Sequence, residues 1–216
     1  MFELVIFDCD GVLVDSERIT NTVLAELLNE LGLSVSLNYM YEHFMGKSMP
    51  QCMGLITTML GKFPPSNFEE SYRERSRIAL ENRLRPVLGV LEMLQNFKLP
   101  CCVASSGSHD KMLFTLGITG LLSRFANRLY SVTEVAHGKP APDVFLYAAA
   151  QCSAKPDTCA VVEDTPTGVA AGVAAGMTVF GYTGLIPAGR LRMAGAHHTF
   201  EHMWELNGLL TAQNMN

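Results

Sequence analysis

The stretch Leu4–Glu17, reading LVIFDCDGVLVDSE, does most to limit what this chain can become. Leu4, Val5, Ile6 and Phe7 form an unbroken apolar run, the pattern of a strand buried on both faces. Asp8 and Asp10 follow at once, separated by Cys9 and backed by Gly11, which is free to take positive φ. Two acids at the end of a buried strand cost free energy unless their charge is compensated, and a hard cation is the usual compensation. Taken alone, the same residues also describe a strand that ends in a polar turn. A second apolar run, Val12–Val14, leads to Asp15 and Ser16, which suit a helix start.

Beyond Ser16 the periodicity becomes helical. Ile19, Val23, Leu24, Leu27, Leu28 and Leu31 share one helix face, and Gly32 stands where a C-terminal cap is expected. Asn38–Phe44, Met49–Leu60 and Phe68–Leu84 also read as helices, interrupted by Gly46-Lys47-Ser48 and by Pro64-Pro65. The Glu69/Arg73 and Glu81/Arg85 spacings describe a solvated helix face, so Arg75 and Arg77 on that helix are weak candidates for substrate contact. No strand pattern occurs between Glu17 and Arg85.

From Pro86 the chain alternates. Val87–Phe97 reads as a helix, and Cys101–Ala104 as a buried strand ending in Ser105-Ser106-Gly107-Ser108. His109–Leu116 is a short helix, Leu129–Ser131 a strand, and Gly138-Lys139-Pro140-Ala141-Pro142-Asp143 opens another helix. Ala160–Val162 is a strand ending in Glu163-Asp164. A helix then runs from Thr165-Pro166 to near Gly176, followed by a strand at Thr178–Gly181 and a terminal helix at His202–Leu210. This alternation predicts an α/β fold with a doubly wound, Rossmann-like parallel sheet. The expected organisation is a core domain from residues 1–16 and 86–216, with an all-helical domain, 17–85, inserted after the first strand.

Composition narrows the function classes. With 216 residues and a net charge of −5, the chain lacks the basic footprint that nucleic acid or an anionic membrane surface requires. No apolar run approaches the ~18 residues of a membrane span, and the N-terminus enters a strand with no signal-peptide pattern, so a cytoplasmic protein is expected. The six cysteines form no CxxC pair and read as small buried hydrophobes in a reducing compartment. The six histidines show no zinc spacing, while Trp204 and the methionines read as packing residues.

In doubly wound sheets, ligands bind beyond the carboxyl ends of the strands. Asp8/Asp10, Ser105 and Glu163/Asp164 all end strands there, and Lys139 lies in a loop expected on the same edge. Four acids, a hydroxyl and an ammonium suit the handling of a phosphoryl group on Mg2+, with an aspartate as covalent acceptor.

This ordered set resembles the haloacid dehalogenase-like hydrolase superfamily, in its branch of phosphatases and phosphomutases with a helical cap. The DxDGxL motif matches Asp8-Cys9-Asp10-Gly11-Val12-Leu13, and the strand-ending serine matches Ser105. The lysine of GKPxPD matches Lys139, and the paired acids before a helix match Glu163-Asp164-Thr165-Pro166-Thr167-Gly168. The resemblance implies that Asp8 is the nucleophile and Asp10 the acid and then base. Ser105, Ser106, Gly107 and Lys139 would hold phosphate. Asp8, Asp164, Glu163 (directly or through water) and the Asp10 backbone carbonyl would hold Mg2+.

The resemblance further implies a cap at 17–85 that selects substrate, with Gly46 and Lys47 as its contact residues. Beta-phosphoglucomutases of this branch carry a histidine where this chain has Thr20, which favours transfer to water. The expected activity is therefore Mg2+-dependent hydrolysis of a small phosphomonoester (a sugar phosphate, sugar-acid phosphate or phosphoglycolate-like compound) through a phosphoaspartate. The alternatives are a sugar phosphomutase and a non-catalytic phosphometabolite-binding protein. A monomer or weak homodimer is expected.

Overall fold

A computed structural model describes residues 1–125 and 127–214. In chain order, the elements begin with β1 (Leu4–Phe7), α1 (Ser16–Glu30), α2 (Leu37–His43), α3 (Met49–Leu60), α4 (Phe68–Arg83) and α5 (Val90–Gln95). There follow β2 (Cys101–Ser105), α6 (His109–Ile118), α7 (Leu122–Phe125), β3 (Leu129–Ser131), α8 (Asp143–Gln151), β4 (Cys159–Glu163) and α9 (Pro166–Ala174). The chain ends with β5 (Thr178–Tyr182), α10 (Ala188–Met193), β6 (His198–Phe200) and α11 (Leu206–Asn214). Two compact units result: Met1–Asp15 together with the chain from Arg85 onward, and Ser16–Leu84.

The first unit is an α/β sheet domain. Its six strands run parallel in the order β3-β2-β1-β4-β5-β6. β1, β2 and β4 are buried along their whole length, because helices cover both faces of a parallel sheet and no position can be polar without cost. The chain moves outward from β1 through β2 to β3, then returns to the other side of β1 with β4. That reversal is the switch point at which doubly wound sheets open a crevice for ligands. α9 is rich in alanine and glycine because it lies close on the sheet: a methyl group at Gly172 would stand 2.7 Å from Val179 Cγ2.

Between β1 and α1 the chain makes a tight turn. The Gly11 N–H donates to the Val14 carbonyl (2.8 Å), and the N–H groups of Leu13 and Val14 both donate to the Cys9 carbonyl. Val14 bridges Pro86, Val87 N–H donates to the Leu13 carbonyl, and Asp15 N–H donates to the Arg85 carbonyl. The two crossings out of this domain are therefore tied side by side. The same contacts shorten the helix expected over Val87–Phe97: Pro86 and Val87 are held extended, Gly89 takes φ +86°, and helix begins only at Val90.

The second unit is helical throughout. α1 packs on α2 and α4, and Val23, Leu24, Leu27 and Leu28 join Met40, Phe44, Ile56 and Phe68 in one core. Arg75 pairs with Glu30 of α1 at 2.6 Å rather than within its own helix, and Glu81 pairs with Arg77 rather than Arg85.

Three elements escape the sequence pattern: the one-turn helix α7, α10 and the edge strand β6. β6 is three residues long and only partly buried, too short to show alternation. Trp204 is also not a core residue. It sits 53% exposed in a 3-10 turn, stacked on His202, while Met203, Leu206 and Leu210 fill the core beneath. All six cysteines are free, and among the described residues no helix is long and apolar enough to cross a membrane.

Candidate active site

Asp8 leaves β1 still hydrogen-bonded to the sheet, its N–H donating to the Val162 carbonyl of β4 (3.0 Å). This anchors its carboxylate between the ends of β1 and β4. Lys139 reaches the same point from the loop before α8. Its Nζ donates to Asp8 Oδ1 (2.6 Å), Glu163 Oε1 (2.7 Å) and the Ala104 carbonyl (3.1 Å), and lies 4.6 Å from the centre of the Phe145 ring. Its side chain is only 4% exposed. Burial alone disfavours the ammonium, but the charges of Asp8 and Glu163 outweigh it and hold the Lys139 pKa above its ordinary value. For Asp8 burial dominates: it pushes the carboxyl up to about 7 against the pull of Lys139, helped by the nearby charges of Glu163 and Asp10.

Glu163 ends β4 with both oxygens engaged. Oε1 accepts from Lys139, while Oε2 accepts from the N–H groups of Asp164 (3.0 Å) and Thr165 (3.1 Å) and from the Thr165 hydroxyl (3.0 Å). Thr165 in turn caps α9, its hydroxyl accepting from the Gly168 N–H. Glu163 thus binds the turn that presents Asp164, and its oxygens are occupied by protein donors.

One carboxylate oxygen from each of Asp8, Glu163 and Asp164 lies within 4.8 Å of the others, and all three residues are buried. These are hard oxygen donors around a small volume, a set that fits Mg2+. Asp8 and Asp164 are the residues that would hold it, with Glu163 supporting from behind.

Two glycines make this approach possible. A methyl group at Gly11, which takes φ +80°, would fall 2.1 Å from Asp164 Oδ2, and one at Gly168 would fall 1.8 Å from Glu163 Oε1. Gly168→Ala is therefore expected to push Glu163 off Lys139 and the turn. Urea unfolding should show a loss of about 2 kcal/mol, within the range for a broken buried polar network. An unchanged midpoint would mean that the turn relaxes without cost.

Ser105 ends β2 and is buried, its Oγ accepting from the Gly107 N–H (3.0 Å). The Ser131 hydroxyl, from β3, donates to the Gly107 carbonyl (2.7 Å), and Ser106 is exposed. Asp8, Asp10, Ser105, Ser106, Gly107, Lys139, Glu163 and Asp164 all belong to the sheet domain, at the carboxyl ends of β1, β2 and β4 and in the loop before α8. Gly46 and Lys47 belong to the helical unit, in the turn after α2, where Gly46 takes φ +75° and Lys47 is exposed.

Sequence reasoning missed Lys111, which meets Asp10, and Glu134, whose Oε2 accepts from the Ser131 N–H (2.8 Å) and lies 2.7 Å from His109 Nε2. The signal for Glu134 was the Ser131-x-x-Glu134 capping-box spacing, which the structure forms; its contact with His109, 25 residues earlier, gave none. Lys111 gave only a faint one, a cation in the first turn of a helix opposing the helix dipole, which does not point to Asp10.

Residues 2–176 match the family model described as haloacid dehalogenase-like hydrolase. The chain is 28% identical over 212 residues to the 6-phosphogluconate phosphatase of Escherichia coli, covering 98% of this chain and 96% of that protein. A conserved haloacid dehalogenase-like protein of unknown function from Agrobacterium tumefaciens superposes with a TM-score of 0.91 at 34% identity, covering 99% of this chain and all of the other. A HAD family hydrolase from Deinococcus radiodurans, solved with bound phosphate and sodium, gives a TM-score of 0.84 at 29% identity over 99% of this chain and 97% of its own.

Proposed function

This chain belongs to the haloacid dehalogenase-like hydrolase family, and we propose that it is a Mg2+-dependent phosphatase of small sugar or sugar-acid phosphates. The observation that carries this reading is the buried junction of Asp8, Lys139 and Glu163, with Asp164 beside it. A merely structural ion pair has no need of a third carboxylate converging on the same volume. The 6-phosphogluconate phosphatase of E. coli supports a sugar-acid phosphate as the first substrate to try.

In this reading an Asp8 oxygen attacks phosphorus and the bond from phosphorus to the leaving oxygen breaks. Asp10 delivers a proton to that oxygen, so the product departs as a neutral alcohol. Asp10 then takes a proton from water, whose oxygen attacks phosphorus; the bond from phosphorus to Asp8 breaks and inorganic phosphate is released. Lys139 and Ser105 hold the phosphoryl oxygens and orient the group for in-line attack. Mg2+ on Asp8 and Asp164 would supply further neutralisation of the charge that spreads over those oxygens.

The helical unit supplies substrate-selecting groups, Gly46 and Lys47 among them. Thr20 supports transfer to water rather than to a second sugar hydroxyl: its own hydroxyl donates to the Ser16 carbonyl (3.1 Å), and it has no group that could exchange a proton near neutral pH.

The test is phosphate release from a panel of phosphomonoesters that includes 6-phosphogluconate, glucose 6-phosphate, glucose 1-phosphate and phosphoglycolate. Release should require Mg2+ and stop with EDTA. Turnover that persists in EDTA would overturn the metal dependence. Conversion of glucose 1-phosphate to glucose 6-phosphate without free phosphate would replace the hydrolase with a mutase.

A further inference from the structure

Two lysines serve the two aspartates of the first turn. Lys139 holds Asp8, and Lys111 Nζ donates to Asp10 Oδ2 at 2.8 Å. Lys111 reaches Asp10 from the first turn of α6, where Ser108 caps the helix and accepts from the Lys111 N–H. Its stem passes close to Gly107. A methyl group on that glycine would stand 3.2 Å from Lys111 Cδ, 3.4 Å from Ser105 Oγ and 3.6 Å from Asp10 Oδ2. The lysine stem, the serine hydroxyl and the Asp10 carboxylate therefore surround one small volume, kept open because residue 107 has no side chain. The Asp10 side chain is 13% exposed and that of Lys111 37%, so the pair lies at the mouth of the crevice.

We infer that Lys111 is the positioning residue for Asp10: by holding Oδ2 it turns the carboxyl so that Oδ1 faces the leaving oxygen. The inference rests on the reading of Asp10 as proton donor given above. A carboxyl on a single Cβ can rotate about two bonds, and proton transfer needs the donor within hydrogen-bond reach of the departing oxygen. A fixed Oδ2 removes that freedom before substrate arrives. Contact through Lys111 also links Asp10 to the loop carrying Ser105 and Gly107, so proton donor and phosphoryl grip are registered against each other.

A positioning role for a proton donor has a signature that simple loss of stability lacks. Departure of p-nitrophenolate needs no proton, whereas phenolate and alkoxides need one increasingly. The quantity to read is kcat/KM, which reports the steps up to the departure of the leaving group, for substituted phenyl phosphates and one alkyl phosphate, with wild type, Lys111→Met, Lys111→Arg and Asp10→Asn.

For Lys111→Met the expected loss is within about threefold on p-nitrophenyl phosphate and grows to about 10- to 100-fold on the alkyl phosphate, the scale of a misplaced catalytic group. Lys111→Arg, which keeps a donor, should recover most of that loss. Adding Lys111→Met to Asp10→Asn should steepen the dependence no further. An equal loss on every substrate would overturn the inference and make Lys111 a contact to the phosphoryl group. No loss would overturn it outright. If Asp10→Asn itself shows no dependence on the leaving group, Asp10 is not the donor and the reading beneath the inference falls with it. A biased Asp10→Asn beside an unbiased Lys111→Met removes the inference alone.

Discussion

Asp8→Asn is expected to abolish turnover, by more than about 10⁴-fold, while leaving the fold at least as stable as the wild type in metal-free buffer. An amide cannot attack phosphorus, yet its oxygen can still accept from Lys139, as Asp8 Oδ1 does at 2.6 Å. The stability half follows from the charge balance. Burial raises the Asp8 carboxyl from 3.8 to about 7, so the folded protein holds this proton more tightly than the unfolded chain does. The stability this confers is complete below the unfolded value and is lost as pH rises through about 7. Asparagine does not titrate, so its advantage over wild type should widen across that window. Thermal unfolding of both proteins without metal, at several pH values, reads the effect. Mg2+ should then raise the wild-type midpoint more than that of Asp8→Asn. If the variant keeps activity, or if intact wild type quenched during turnover never gains the mass of one phosphoryl group, Asp8 is not the nucleophile.

Lys139→Met should be the most damaging single change to the fold. It removes the cation that meets both Asp8 Oδ1 and Glu163 Oε1, at 2.6 and 2.7 Å. Glu163 is 1% exposed and the Asp8 side chain 10%, so neither carboxylate can turn to water. Breaking a buried pair from one side costs about 3–5 kcal/mol, a large part of the 5–15 kcal/mol that holds an ordinary domain together. Urea unfolding should register the loss, and turnover should vanish because the phosphoryl grip goes with it. Arginine should not rescue, since its planar fork cannot direct three bonds from a single point as the ammonium does to Asp8, Glu163 and the Ala104 carbonyl. An unaltered midpoint would show that Asp8 and Glu163 share a proton rather than depend on the lysine.

The difference between Lys139 and Lys111 shows where sequence reading stops. Lys139 is marked by its neighbours: the glycine and prolines of GKPAPD announce a shaped loop before a helix, and a lysine there has a recognisable place. Lys111 has no such frame. Its partner is 101 residues away, and the glycine that lets its stem pass is four residues before it. Glu163 was legible as an acid ending a strand. That both its oxygens are taken up by Lys139, two backbone N–H groups and a hydroxyl was not, because those partners are brought to it by strand pairing and by the turn into α9.

Local pattern by itself determined the buried strands, the helical run after the first turn, and which residue types end the strands, because burial on two faces and helical periodicity are written in consecutive residues. Only the tertiary structure decided the strand order, with β4 returning beside β1, and so which strand ends meet. It also decided which lysine serves which aspartate, and the role of Glu163 as the brace for Asp164. Those outcomes depend on distances between residues far apart in the chain, and on small gaps left at Gly11, Gly107 and Gly168 that close only when the sheet is assembled.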